Sequence, residues 1–152
     1  MSKRVLITGH NGYIGSVMAP FFLKKGYDVR GLDTGYFREC TFVSDELDFP
    51  CVYKDIRDLT PADVEGFDVV VHLAALSNDP IGNLRENWTQ EINVESSAKL
   101  AKLAKAAGVE RFLFSSSCIM YGMSEAAVVS EEAPLAPETE YARSKALGEQ
   151  LV

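Results

Sequence analysis

Tyr141 and Lys145 stand four residues apart in the run Tyr141-Ala142-Arg143-Ser144-Lys145. On a helix that spacing puts both side chains on one face. An ammonium held beside a phenol favours the phenolate, and a phenolate can take the proton of an alcohol. A second group near the start of the chain suits a different task. The stretch Thr8-Gly9-His10-Asn11-Gly12-Tyr13-Ile14-Gly15 follows the apolar run Val5-Leu6-Ile7 and opens a helical pattern. Three glycines so spaced, between a strand and a helix, can hold a pyrophosphate. Gly9 permits the tight turn, Gly12 lets the anion approach the backbone, and Gly15 lets the helix pack on the strand. The N–H groups of the loop, with Asn11, Tyr13 and Ile14 counted among the binding residues, would hydrogen-bond the anion. His10 is read here as a loop residue rather than a base. Asp33 follows the loop by about 20 residues. A carboxylate there accepts hydrogen bonds from both ribose hydroxyls of an adenosine and repels a 2′-phosphate. NAD is therefore favoured over NADP, with Arg38 close enough in sequence to leave NADP open.

Each signal alone has a plainer reading: a solvated helix face for Tyr141 and Lys145, a bare turn for the glycines, a strand-end turn for Asp33-Thr34-Gly35. What separates the readings is whether the chain supplies the elements that would position these groups. Residues 5–8 form a continuous apolar run bounded by glycine, the mark of a buried parallel strand. Ile14, Val17, Met18, Phe21 and Phe22 then recur at helical spacing, and Gly26 after Lys24-Lys25 is a stop. Pro20 predicts a kink near Ser16, because it removes a helical hydrogen bond. Further strands are expected at residues 27–32, 51–53, 68–73 and 111–115. Residues 34–50 read as irregular, with a Ser-Asp-Glu-Leu-Asp cluster, and residues 121–138 as a long loop. Thr60 with Pro61 predicts a short capped helix. A long helical pattern carries Trp88, Ile92, Leu100, Leu103 and Ala107 on one face and ends at Gly108. A last helix starts at Tyr141. Strands alternating with helices call for a parallel sheet with right-handed crossovers. The expected class is α/β, a Rossmann-type doubly wound parallel sheet in three layers, truncated after the Tyr/Lys helix and forming one NAD-binding domain over residues 1–152.

Composition narrows the function. The chain has 152 residues, enough for one domain with a core, and a formal net charge of -7. That balance excludes a nucleic-acid partner, since phosphate contacts need a basic face. No apolar run is long enough to span a membrane, and the start carries no secretory signal pattern. Cys40, Cys51 and Cys118 are an odd number without metal-like spacing, so no metal site is expected. They read as reduced thiols of a cytoplasmic protein, with Cys51 and Cys118 in buried strands.

These motifs in this order resemble the short-chain dehydrogenase/reductase superfamily, and more closely its extended branch, the NAD-dependent sugar-nucleotide epimerases and dehydratases. The resemblance rests on the glycine loop, Asp33, Asp55-Ile56-Arg57, His72-Leu73-Ala74-Ala75, Asn93-Val94, Ser115-Ser116-Ser117 with Met120-Tyr121-Gly122, and Tyr141 with Ser144-Lys145. It implies that Asp55 and Ile56 contact the adenine. Leu73, Ala74 and Ala75 would line the cofactor, with Ser115 also in its site and Asn93 on the nicotinamide side. Ser117 would hydrogen-bond the reacting oxygen, Tyr141 would be the acid/base, and Lys145 would tune it and bind the nicotinamide ribose. Each position read singly has a structural alternative: a turn residue at Asp55, small packing residues at Ala74 and Ala75, a helix-surface amide at Asn93. Dehydratases of the branch carry an Asp-Glu pair directly after the catalytic Thr, where this chain has Cys118-Ile119. The likeness is therefore to UDP-glucose 4-epimerase-like proteins, with a nucleotide-sugar substrate. A keto-reductase or dehydrogenase of the same family is the alternative, and a non-catalytic NAD-binding module the alternative of another class. Ser77-Asn78-Asp79-Pro80 departs from the epimerase pattern. Members of the branch are about twice this length, which leads to the expectation that the chain is the N-terminal portion of a longer enzyme and inactive alone. By the same resemblance it would pair as a homodimer through the long helix and the Tyr141 helix.

Overall fold

The computed structural model describes residues 2–40, 49–77, 85–123 and 128–152. The expected Ser-Asp-Glu-Leu-Asp cluster and residues 78–80 of the departing segment lie outside them. Two compact units are formed: Met1–Ala74 with Lys99–Ser115, and Ala75–Ala98 with Ser116–Val152.

The first unit holds the sheet. Its strands are β1 (Arg4–Thr8), β2 (Asp28–Asp33), β3 (Cys51–Tyr53), β4 (Val69–His72) and β5 (Arg111–Phe114). All neighbours pair in parallel, in the order β3-β2-β1-β4-β5. Every crossover therefore leaves the plane of the sheet, and the order reverses between β1 and β4. The crevice at the C-terminal ends of strands flanking such a reversal is where open α/β sheets take their ligands. Thr8 at the end of β1 pairs with Leu32 on one side and His72 on the other. Helix α1 (Gly15–Lys24) packs on β1 and β2. Its Ala19, with Val5, Ile7, Val29, Val69 and Val71, makes one buried cluster, flanked by Met18, Phe22, Leu23, Phe49 and Leu73. Leu6 and Val70, which alternate to the opposite face, are equally buried. β-branched residues dominate because a strand covered on both faces needs apolar side chains in both directions. Pro20 lies inside α1, so the bond that would reach the Ser16 carbonyl is missing.

Thr60 and Pro61 open only a 3₁₀ turn, Pro61–Asp63, in which the Asp63 carboxylate accepts from the Thr60 N–H at 2.6 Å. The expected long helix is interrupted. An α-helical turn, α2 (Glu86–Thr89), runs into a π-helical segment, Gln90–Glu95, before α3 (Ser96–Ala106) resumes regular winding. The cause is polar. The Ser96 hydroxyl donates to the Glu91 carbonyl and the Ser97 hydroxyl to the Asn93 carbonyl, each at 2.7 Å. Hydroxyls that take main-chain acceptors relieve the regular ladder and let the turn widen. A single helical face from Trp88 to Ala107 is thus not maintained, and Trp88 is exposed while Leu100 is fully buried.

The second unit is completed by a 3₁₀ turn, Cys118–Tyr121, and by α4 (Glu140–Leu151). Cys51 lies in a strand as expected but is only half-buried, because β3 is an edge strand, and Cys118 is exposed, because it sits on a turn outside the sheet. No helix among the described residues is long and apolar enough to cross a membrane.

Candidate active site

In the first unit the glycine loop is held by its own backbone. The Gly9 N–H donates to the Leu32 carbonyl at 2.8 Å, and Gly12 N–H to the Gly9 carbonyl at 3.1 Å. Gly9 has φ +77, and a Cβ there would lie 2.7 Å from the Ala74 nitrogen. A Cβ on Gly15 would lie 2.3 Å from the Gly9 carbonyl oxygen and 2.6 Å from the His10 Cα. Both contacts are with backbone, which cannot step aside. At Gly12 a Cβ would meet only the Gly9 oxygen, at 3.2 Å, and would otherwise fill open space. Ser16 N–H bonds back to the Gly12 carbonyl at 2.9 Å, which starts the helix. Tyr13 and Ile14, at its mouth, are exposed. The Asn11 side-chain Nδ2 is buried and has no hydrogen-bond partner among the described residues. An orphaned donor in a loop whose glycine leaves room for a ligand fits an anion such as a pyrophosphate.

Asp33 closes the same end of β2. Its Oδ2 accepts from the Asn11 N–H at 3.1 Å and its Oδ1 from the Gly35 N–H at 2.8 Å. A carboxylate tied by one donor on each oxygen still has lone pairs to offer two hydroxyls. Arg38, the residue that left NADP open, lies over the Tyr53 ring with its guanidinium carbon 5.3 Å from the ring centroid. Asp55 caps the 3₁₀ turn Ile56–Asp58, and its carboxylate accepts from the Arg57 guanidinium at 2.8 and 3.0 Å. That partner holds the Asp55 carboxyl below its usual range. The Ile56 side chain is buried in the core, which leaves only its backbone for an adenine. Leu73 and Ala74 follow β4 against Gly9. The Ser115 N–H donates to the His72 carbonyl at 3.2 Å, extending β5. His72 is buried and shares a 2.7 Å hydrogen bond with the Thr8 hydroxyl through Nδ1.

The second unit gathers the other candidate residues. Thr139 caps α4, its hydroxyl accepting from the Ala142 N–H at 3.1 Å. The cap sets the phase that puts Tyr141 and Lys145 on one face. The Lys145 ammonium lies 5.6 Å from the Tyr141 ring centroid. Lys145 is buried, and burial pushes its pKa down from 10.5 to about 8. A lysine ammonium kept in a dry place beside a tyrosine is a candidate for chemistry. Helix α4 packs against both the π segment and the Cys118–Tyr121 turn. Ser117 caps that turn, its hydroxyl accepting from the Ile119 N–H over a long 3.4 Å. The turn is held from behind: a Cβ on Gly122, at φ +63, would lie 2.2 Å from the Ala136 carbonyl, and the Ala136 N–H donates to the Met120 carbonyl at 3.0 Å.

Asn93 is fully buried in the π segment. Its Oδ1 accepts from the Leu76 N–H at 2.8 Å, and its Nδ2 donates to the Leu76 carbonyl at 2.9 Å and to the Ser144 hydroxyl at 3.0 Å. Ser144 in turn donates to the Tyr141 carbonyl at 2.7 Å. Asn93 is thus neither a helix-surface amide nor bare packing: it fastens the segment after Ala75 to the Tyr/Lys helix. Ser144 acquires a part that spacing did not assign it. The signal for it was its place between Tyr141 and Lys145 on a face that had to be buried.

The sequence profile of the NAD dependent epimerase/dehydratase family matches residues 5–152. The chain belongs to this family. UDP-glucose 4-epimerase of Corynebacterium glutamicum is 30% identical over 146 residues, which are 93% of this chain and 43% of the relative. UDP-glucose 4-epimerase of Thermus thermophilus, solved in complex with NAD, superposes with a TM-score of 0.81 at 29% identity, over 97% of this chain and 49% of that one. The dTDP-glucose 4,6-dehydratase of Streptomyces venezuelae, solved with NAD and TYD bound, gives a TM-score of 0.86 at 30% identity, over 97% and 50%. The chain spans about half the length of the relatives it matches. The family is NAD-dependent, and its members are enzymes of both kinds, epimerases and dehydratases.

Proposed function

We propose that the full-length protein is an NAD-dependent sugar-nucleotide epimerase acting at C4 of a UDP-sugar. The observation that carries this reading is the assembly of Tyr141, Lys145 and the Ser117 turn around α4, with Cys118 and Ile119 directly after Ser117. Neither of those two side chains supplies the carboxyl acid and base that water elimination needs. The glycine loop with its orphaned Asn11 donor, and Asp33 with free lone pairs, suit the pyrophosphate and adenosine ribose of NAD. Bound there, NAD supplies a reversible hydride acceptor. Tyr141 takes the proton of the sugar hydroxyl as phenolate and returns it later. Lys145, mostly ammonium at neutral pH with a pKa near 8, stabilises that phenolate and donates to the nicotinamide ribose. Ser117 holds the substrate oxygen as it becomes a carbonyl. Asn93 and Ser144 keep α4 in place. Leu73, Ala74, Ala75 and Ser115 line the cofactor, and Asp55 and the Ile56 backbone meet its adenine.

The test is interconversion of UDP-glucose and UDP-galactose by the full-length protein without added reduced cofactor, with Tyr141→Phe as control. Turnover lost in Tyr141→Phe with NAD binding retained supports the reading. Unchanged turnover in the variant overturns it. Stoichiometric consumption of added NADH would favour a keto-reductase, and NAD binding with no turnover of any sugar nucleotide a non-catalytic module.

A further inference from the structure

His10 sits in the glycine loop between two tethers, Gly9 N–H to the Leu32 carbonyl at 2.8 Å and Asn11 N–H to Asp33 Oδ2 at 3.1 Å. Its side chain is buried, only 3% exposed. It fills a slot that exists because residue 31 is glycine: a Cβ on Gly31 would lie 2.5 Å from His10 Nδ1 and 2.6 Å from Cγ. The ring meets Phe49 edge-on, with centroids 5.6 Å apart, and tilts towards Tyr53 at 6.3 Å. Among the described residues, neither ring nitrogen has a hydrogen-bond partner in bonding geometry. An imidazole wedged between a glycine and two aromatic rings, with only the Leu32 carbonyl and the Asp33 carboxylate as polar neighbours among the described residues, is used for its shape.

We propose that His10 is a positioning residue: its neutral ring, seated in the Gly31 slot, holds the glycine loop on β2 so that the Asn11 N–H fixes Asp33 for the adenosine ribose of NAD. The inference rests on the reading that NAD occupies this loop, and it makes cofactor affinity depend on pH. Among the described residues, the charged and titratable groups around the ring are Asp33 from β2 and the Tyr53 phenol from β3, with Arg38 on the Tyr53 ring; the Leu32 carbonyl also faces it, and α1 meets His10 through Gly15. Burial depresses the imidazole pKa, outweighing the pull of Asp33 in the other direction, so the ring is neutral at pH 7 and above. On acidification an imidazolium forms beside the Asp33 carboxylate and competes with the ribose hydroxyls for it.

The experiment is NAD titration calorimetry on the full-length protein across about pH 8 to about pH 5, a window that reaches below the range of an ordinary imidazole. Wild type should lose affinity severalfold towards the acid end. His10→Phe, which keeps a ring in the slot, should bind within about threefold of wild type at pH 8 and show a flat profile. His10→Gly should weaken binding about tenfold at pH 8, and should weaken it no further in an Asp33→Ala background. The proposal is overturned if His10→Phe keeps the wild-type pH profile, or if His10→Gly costs the same factor with and without Asp33. Should His10→Gly fail to fold by circular dichroism, the His10→Phe profile decides alone. Wild type that binds no NAD overturns the loop assignment instead, so the two failures are distinguishable.

Discussion

Asn93→Ala removes three hydrogen bonds at once, at 2.8, 2.9 and 3.0 Å. Their partners are the Leu76 N–H, the Leu76 carbonyl and the Ser144 hydroxyl. Leaving a buried polar group unpaired costs about 1–3 kcal/mol. The Leu76 groups are only partly buried and regain some water, so each counts at the low end, about 1 kcal/mol. Ser144 is fully buried but keeps its bond to the Tyr141 carbonyl, and loses about 1 kcal/mol more. The sum is about 3 kcal/mol, a large share of the roughly 5–15 kcal/mol by which a domain is stable. Urea denaturation of the cofactor-free protein should show the midpoint falling by about 1–2 M at an unchanged slope of about 2 kcal/mol/M. Hydrogen exchange adds a local readout, with the Leu76 amide losing protection well beyond the global loss. Asn93→Asp should cost at least as much, because it retains the acceptor for Leu76 N–H, loses both donors and adds a buried charge. A loss below about 1 kcal/mol with the Leu76 amide still protected would refute the claim that Asn93 fastens this segment.

Other outcomes follow from the same geometry. Gly15→Ala places a Cβ 2.3 Å from the Gly9 carbonyl, which outweighs the gain in helix propensity of about 1 kcal/mol; calorimetry should show NAD affinity lost and the melting temperature lowered. Asp33→Ala should weaken NAD by about tenfold or more, since hydrogen bonds to a charged acceptor are worth about 1.5–3 kcal/mol, and should narrow the preference over NADP. Lys145 has a folded pKa of about 8 against 10.5, so between those values the unfolded chain binds the proton more tightly. The cost of burying the ammonium, about 3 kcal/mol, is therefore fully present below pH 8 and vanishes as pH rises past 10.5. Lys145→Met should stabilise the fold at pH 7, gain less at pH 10, and abolish turnover, as chemical denaturation at the two pH values and a turnover assay would show.

Much of the sheet could be read in the sequence: 5–8, covered on both faces, is a continuous apolar run between Arg4 and Gly9, and the edge strands 51–53 and 111–115 are short apolar runs next to charged residues. Alternation of strands and helices called for parallel pairing, and all five strands pair in parallel. Gly9, Gly12 and Gly15 were legible as a loop because a strand precedes them and an amphipathic helix follows. Tyr141 and Lys145 share a face by spacing alone. The rest depended on contacts distant in sequence. The π turn around Asn93 arises from Ser96 and Ser97 hydroxyls and from bonds to Leu76 and Ser144, none of which leaves a periodic trace. His10 looked like one more polar loop residue, because the slot that takes its ring is made by Gly31 on another strand. Ile56 looked available to a ligand, yet the 3₁₀ turn capped by Asp55 points its side chain into the core. Cys118 looked like part of a strand because it is a small apolar residue close after Phe112-Leu113-Phe114, but the chain leaves the sheet at Ser115 and turns.

The central claim, that Tyr141 passes a substrate proton as hydride moves to NAD, is met most directly by one measurement. The full-length, NAD-loaded protein is mixed with a UDP-sugar in a stopped-flow spectrophotometer and the absorbance of reduced nicotinamide is followed. The account predicts a substrate-dependent rise in the wild type and no rise in Tyr141→Phe, with NAD bound in both. Equal signals in the two proteins would contradict it.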